Sequence, residues 1–143
     1  MKGPFADLLV AGGLVAGLLV TLACGGSQDA ATVGLGEESV LAIGESARVA
    51  GEGLEIAFVA VTEDSRCARD VTCIWEGRVV AALEVTIDGE KQALDLAQPG
   101  LTDPPATAGF QGYLFSFAVE PYPETAAAPI PEGEYRLHLT VTR

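Results

Sequence analysis

The chain has 143 residues and carries 20 Asp+Glu against 8 Lys+Arg, a formal net charge of −12 at pH 7. That balance excludes nucleic acid as a partner, because binding a phosphate backbone requires a cationic surface, and it opposes adhesion of the folded part to anionic lipid headgroups. The length suits one domain with one core, behind a self-repelling, soluble surface.

From Leu8 to Ala23 the sequence runs sixteen residues without a charge, behind Lys2 and Asp7. A bilayer-spanning helix needs about 20 mostly apolar residues, and Gly12, Gly13 and Gly17 weaken this stretch further as a permanent span. A charged start, a short apolar run and a small-residue exit describe a cleaved export signal. The exit, Val20-Thr21-Leu22-Ala23-Cys24-Gly25-Gly26-Ser27, resembles the lipobox of bacterial lipoprotein precursors, with Thr21 where that family usually carries Leu. The resemblance implies that residues 1–23 are the signal, that cleavage falls before Cys24, and that lipid is attached to the Cys24 thiol. Buried acyl carbons contribute about 0.8 kcal/mol per CH₂, so two or three chains hold a protein on a membrane. It also implies a cell-envelope location; with Gly25 rather than Asp behind the cysteine, Gram-negative sorting would send the protein to the outer membrane, facing periplasm or exterior.

With Cys24 assigned to lipid, Cys67 and Cys73 are left as an even pair in a compartment where disulfides persist. Closing so short a loop contributes about 2–2.5 kcal/mol on the chain-entropy estimate. Zinc is the rival reading, but it needs two further ligands and His138 is the one histidine.

Residues 24–38, rich in Gly, Ser, Ala, Thr and acid, read as a flexible tether. Residues 39–143 then alternate apolar and polar repeatedly, the signature of half-buried strands. Ser39–Ile43 and Ala47–Ala50 are short candidates, and Leu54–Thr62 places Leu54, Ile56, Phe58 and Ala60 on one face. Arg78–Ile87 aligns Val79, Ala81, Leu83, Val85 and Ile87; Asp88-Gly89, a dipeptide suited to a type I′ hairpin turn, returns the chain into Lys91–Leu96. Pro99–Gly109 reads as a loop. Tyr113–Glu120 aligns Tyr113, Phe115, Phe117 and Val119 until Pro121-Tyr122-Pro123 ends it, and Glu134–Thr142 aligns Tyr135, Leu137, Leu139 and Val141. Strands at this spacing predict an all-β, antiparallel sandwich of immunoglobulin-like size, with six to eight strands; a small closed barrel is the alternative.

The densest cluster of unusual residues is Glu63 to Gly77, which holds Cys67, Cys73 and the one tryptophan, Trp75. Asp64-Ser65-Arg66-Cys67, Val71-Thr72-Cys73-Ile74-Trp75, Gly77 and the later Pro121-Tyr122-Pro123 resemble a motif of small secreted or lipid-anchored bacterial proteins. Ala68 replaces that motif's proline and Glu76 its alanine. The resemblance spans about Gly44 to Arg143 and implies export and a β-sandwich; it brings no activity. On a structural reading, the disulfide staples the crossover, Trp75 covers an open end of the sandwich, and Arg66 pairs with a carboxylate or strand-end carbonyls. On a functional reading, Asp64, Arg66, Arg69, Asp70, Trp75 and Glu76 form a binding loop, ordered beforehand so that recognition costs less entropy. Glu63, Asp64, Asp70 and Glu76 could gather around Ca²⁺, yet they lack the spacing of a calcium loop.

The sequence holds no Gly-x-Ser-x-Gly, Ser-x-x-Lys, phosphate loop or His-Glu-x-x-His, and His138 falls on the outward phase of the last strand. The expectation is therefore a non-catalytic binding or structural module of the cell envelope, without cofactor, that contacts an envelope protein or glycan. The alternatives are an inhibitor presenting the Cys67–Cys73 loop to a hydrolase, and a metal carrier or enzyme.

Overall fold

The computed structural model describes residues 29–101 and 105–143. The export signal, Cys24 and most of the expected tether lie outside them. Among the described residues nine strands form two packed sheets, so the domain is an all-β sandwich rather than a closed barrel. In chain order they are β1 (Ala31–Val33), β2 (Glu38–Ala42), β3 (Ser46–Val49), β4 (Leu54–Asp64), β5 (Arg78–Ile87), β6 (Glu90–Pro99), β7 (Ala106–Phe110), β8 (Tyr113–Glu120) and β9 (Arg136–Thr142). One sheet has the order β1-β3-β4-β5-β6 and the other β2-β9-β8-β7.

The core lies between the two inner faces. Leu54, Ile56 and Phe58 of β4, Val79, Ala81, Leu83 and Val85 of β5, Phe115 and Phe117 of β8, and Leu137 and Leu139 of β9 fill it. These are the positions that the alternation assigns to the interior. The Asp88-Gly89 turn has φ of 50° and 89°, the left-handed pair that matches the right-handed twist of the strands it joins. Gln111-Gly112, at 50° and 83°, makes an equivalent turn between β7 and β8.

Three elements differ from expectation. Ala31–Val33, inside the expected tether, pairs in parallel with Ala47–Val49, and the Gly36 N–H donates to Val141 O at 2.8 Å, so β1 is part of the sandwich. Ala106–Phe110, all but its last residue inside the expected loop, pairs with Tyr113–Phe117 as β7. Ala31–Val33, and β7 up to its final Phe110, are runs of small residues whose partners, rather than their own amphipathicity, make them strands. The third difference is in β4, where the pairing register shifts between Phe58 and Ala60 and again between Val61 and Glu63. A β-bulge turns the following side chains to the other face. Val61, opposite Ala81, therefore takes the inward place expected of Ala60. The second shift restores the original phase, so that Asp64, opposite Val79, lies on the inner side as unbroken alternation from Leu54 would place it.

All long strands turn at one of two ends. At one end lie the turns Ala50–Gly53, Asp88-Gly89 and Gln111-Gly112. At the other, β4 stops at Asp64, β5 starts at Arg78, β6 stops at Pro99 and β8 stops at Glu120; the Cys67–Cys73 loop caps this end.

Candidate functional site

The loop is built around a buried ion pair. Asp64, on the inner side at the end of β4, accepts from Arg66 Nε at 2.8 Å and Nη2 at 2.6 Å. This two-pronged match of guanidinium and carboxylate is the strongest ordinary pairing geometry. Arg66 also donates from Nη1 to Val119 O at 2.8 Å and from Nη2 to Pro121 O at 3.0 Å. Its side chain is 1% exposed and that of Asp64 10%. The Tyr135 hydroxyl donates to Asp64 Oδ2 at 3.0 Å; burial and that carboxylate push the tyrosine up to about 12. Arg66 thus ties the end of β4 to the end of β8, as the structural reading of the loop expects.

Around this pair the loop is held at several further points. Cys67 and Cys73 form the disulfide, with Cα atoms 5.8 Å apart. The Tyr122 hydroxyl donates to Cys67 O at 2.7 Å, and its ring lies under both Arg66 and Arg69, 5.2 and 5.1 Å from their guanidinium carbons. Cations over an aromatic face are attracted by the ring quadrupole. Asp70 accepts from the Thr125 hydroxyl at 2.7 Å and the Ala126 N–H at 2.9 Å, which holds its carboxyl below the usual range. Arg69 pairs with Glu124 at 3.0 Å. Gly77 sits at φ +63°, where a Cβ would overlap Ser65 O. At Gly100 a Cβ would overlap Glu76 O. Two glycines therefore let the loop's return strand lie directly on its neighbours.

Trp75 overturns the covering role expected of it. It is 82% exposed and Ile74 is 92% exposed, so neither closes the sandwich. Val71, at 45%, and Leu101, at 73%, extend the apolar surface of the same end. That end of the sandwich is closed instead by Arg66, Tyr122 and Tyr135. Of the six expected loop residues, Asp64, Arg66, Arg69 and Asp70 are engaged in internal contacts. Trp75 and Glu76 face solvent.

No protein-family model, curated protein or solved structure matches this chain. The site is therefore read from its own geometry.

Three of the four acids considered for Ca²⁺ point to different partners, Glu63 to Arg78 and Ser65, Asp64 to Arg66 and Tyr135, and Asp70 to Thr125, while Glu76 faces solvent. Among the described residues no three His, Cys, Asp or Glu side chains gather as a metal site. His138 lies on the outer face of its sheet, between Glu38 (Nδ1–Oε1 3.1 Å) and Glu120 (Nε2–Oε2 3.5 Å). Those carboxylates approach opposite edges of the ring, so they steady the imidazole and do not converge with it on one point. Tyr122 and Tyr135 are the functional-site residues that sequence reasoning placed elsewhere. For Tyr122 the available signal was the Pro121-Tyr122-Pro123 motif. Tyr135 continues the inward phase of β9 and reads as an ordinary core position.

Proposed function

We propose that the protein is a lipid-anchored, non-catalytic module of the cell envelope whose Cys67–Cys73 loop is its contact surface. The observation that carries this reading is the contrast within one loop. Its base is fixed by a buried ion pair, a disulfide and a tyrosine, while Ile74 and Trp75 stand in water at its tip. Leaving a tryptophan and an isoleucine exposed gives up about 1.5–3 kcal/mol for the isoleucine alone relative to burial. A rigid mount holding an aromatic residue outward is the arrangement of a binding hot spot, because Trp anchors contribute disproportionately and a pre-ordered loop loses little entropy on contact. The lipobox-like segment ending at Cys24 supports the anchored location. The surfaces within reach of such a protein are envelope proteins, glycans and the bilayer itself.

Radiolabelled palmitate fed to cells producing the full chain tests the anchor. The expected result is a labelled parent and an unlabelled Cys24→Ser variant; an unlabelled parent rules the anchor out. For the loop, Trp75→Ala is expected to change stability by no more than about 0.5 kcal/mol, as for other exposed positions. A collapse of the melting temperature in that variant would make the tryptophan structural.

A further inference from the structure

The Ile74–Trp75 tip needs an occupant, and three observations favour one. The first is its size. A stable protein–protein interface covers about 800 Å² per partner, whereas an aromatic side chain buries roughly 150–250 Å². Ile74, Trp75, Val71 and Leu101, all exposed, fall short of an independent protein interface. They suffice for a contact whose partner is already held close, since tethering converts a weak contact into an intramolecular one.

The second observation is the direction of the chain. β1 runs parallel to β3, with Ala31 beside Ala47, and Ala47 lies opposite Ile56 of β4. Followed backwards, β1 therefore heads toward the Asp64 end of β4, the end that carries the loop. From the level of Ile56 to Asp64 is eight residues, two of them absorbed by the register shifts, or about 20 Å at 3.3 Å per residue. Cys24 precedes Ala31 by seven residues, a contour of at most about 25 Å. An anchor on Cys24 can thus lie level with the loop, and it can never be farther from β1 than about one strand length.

The third is chemistry. Tryptophan concentrates at membrane–water interfaces, where its ring sits at headgroup depth. The acids beside the tip, Glu76 and the loop's Asp70, together with the net charge of −12, direct such a contact to a zwitterionic leaflet rather than an anionic one.

We infer that Ile74 and Trp75 seat in the interfacial layer of the bilayer that holds Cys24, a second contact that fixes how the domain faces the membrane. The inference rests on the lipid-anchor reading above. Trp75 is the one tryptophan, so its emission reports the tip alone. The full chain, matured in bacteria, is reconstituted into phosphatidylcholine vesicles after intact mass establishes its N-terminus. An unacylated mass overturns the anchor and this inference with it. With the acylated protein, brominated phosphatidylcholine is expected to quench Trp75 emission by roughly half or more, as for an indole at headgroup depth. A Trp75→Phe, Leu35→Trp variant moves the reporter to an exposed position in the turn after β1, at the opposite end, and its emission is expected to be unaffected. Acylated protein whose Trp75 ignores the bromolipid overturns the inference, as does equal quenching of the two reporters. Shielding of Trp75 from acrylamide in native membranes but not in pure lipid would assign the tip to a protein and equally overturn it.

Discussion

Replacing Arg66 with Ala tests whether the loop is mounted on a buried ion pair. The change removes a side chain that is 1% exposed, together with donors to Asp64, Val119 O and Pro121 O. Asp64 would keep the Tyr135 hydroxyl and the backbone N–H of residue 66 but lose its only guanidinium. Removing one partner of a buried pair costs about 3–5 kcal/mol, mostly because the remaining charge is left uncompensated. The two carbonyls add to this unless water reaches them. Against a total stability of about 5–15 kcal/mol, this is a large fraction. At roughly 4 °C per kcal/mol for a domain of this size, the melting temperature should fall by about 12–20 °C. Circular dichroism melts of parent, Arg66→Ala, Asp64→Ala and the double variant form the required cycle. Loss of both partners should cost clearly less than the sum of the singles, because no charge is then stranded. A single variant that melts within about 3 °C of the parent, or additive singles, would refute the buried-pair account.

Alkaline pH should weaken the fold through Tyr135. Its hydroxyl is raised from 10.0 to about 12 by burial and by Asp64, so the folded state holds that proton more tightly than the unfolded one. The stabilisation is complete below pH 10 and is lost as pH climbs through 12; melts at pH 9 and pH 11 should show a smaller drop for Tyr135→Phe than for the parent. Gly77→Ala should cost at least about 2 kcal/mol in a denaturant titration, since the left-handed φ alone costs about 1–2 and the new Cβ would meet Ser65 O. A neutral result would mean the loop's return strand sits further from β4 than the structure places it. Reduction of Cys67–Cys73 should release two thiols per chain and lower stability by about 2 kcal/mol; an oxidised domain with free thiol in this pair would contradict the bond.

Much of the fold was legible because contrast between neighbouring residues was strong. In β9 large apolar side chains alternate with polar ones, and in β5 and β8 Leu83, Val85, Phe115, Phe117 and Val119 stand inward between smaller or polar neighbours, so they read directly as core. Asp88-Gly89 announced its turn because both residues tolerate positive φ. Gln111-Gly112 makes a matching turn and was not legible, since glutamine carries no such preference. β1 and β7 were hidden for a related reason. Ala31-Thr32-Val33 and Ala106-Thr107-Ala108-Gly109 offer little apolar area to either face, so their strand state is set by β3 and β8. The bulges in β4 left no mark either; they set Val61 rather than Ala60 against Ala81, and because the two shifts cancel Asp64 keeps the inward side.

The site divided along the same line. The Arg66 pairing was legible because a carboxylate stood two residues away and a buried guanidinium needs one. The environment of Trp75 was not, because a tryptophan beside an isoleucine reads as core whenever burial is inferred from hydrophobicity alone. The structure separates two properties that the sequence packs into fifteen residues. Stability resides in Asp64, Arg66, Cys67 and their contacts to Val119, Pro121 and Tyr122. Exposure resides in Ile74 and Trp75, which make no contribution to that network. Substitutions at the tip are therefore expected to leave the fold intact, whereas substitutions at the base are expected to destabilise it. On the proposed reading the tip can be altered independently of its mount, and that independence is what would distinguish a presented loop from a mere corner of the sandwich.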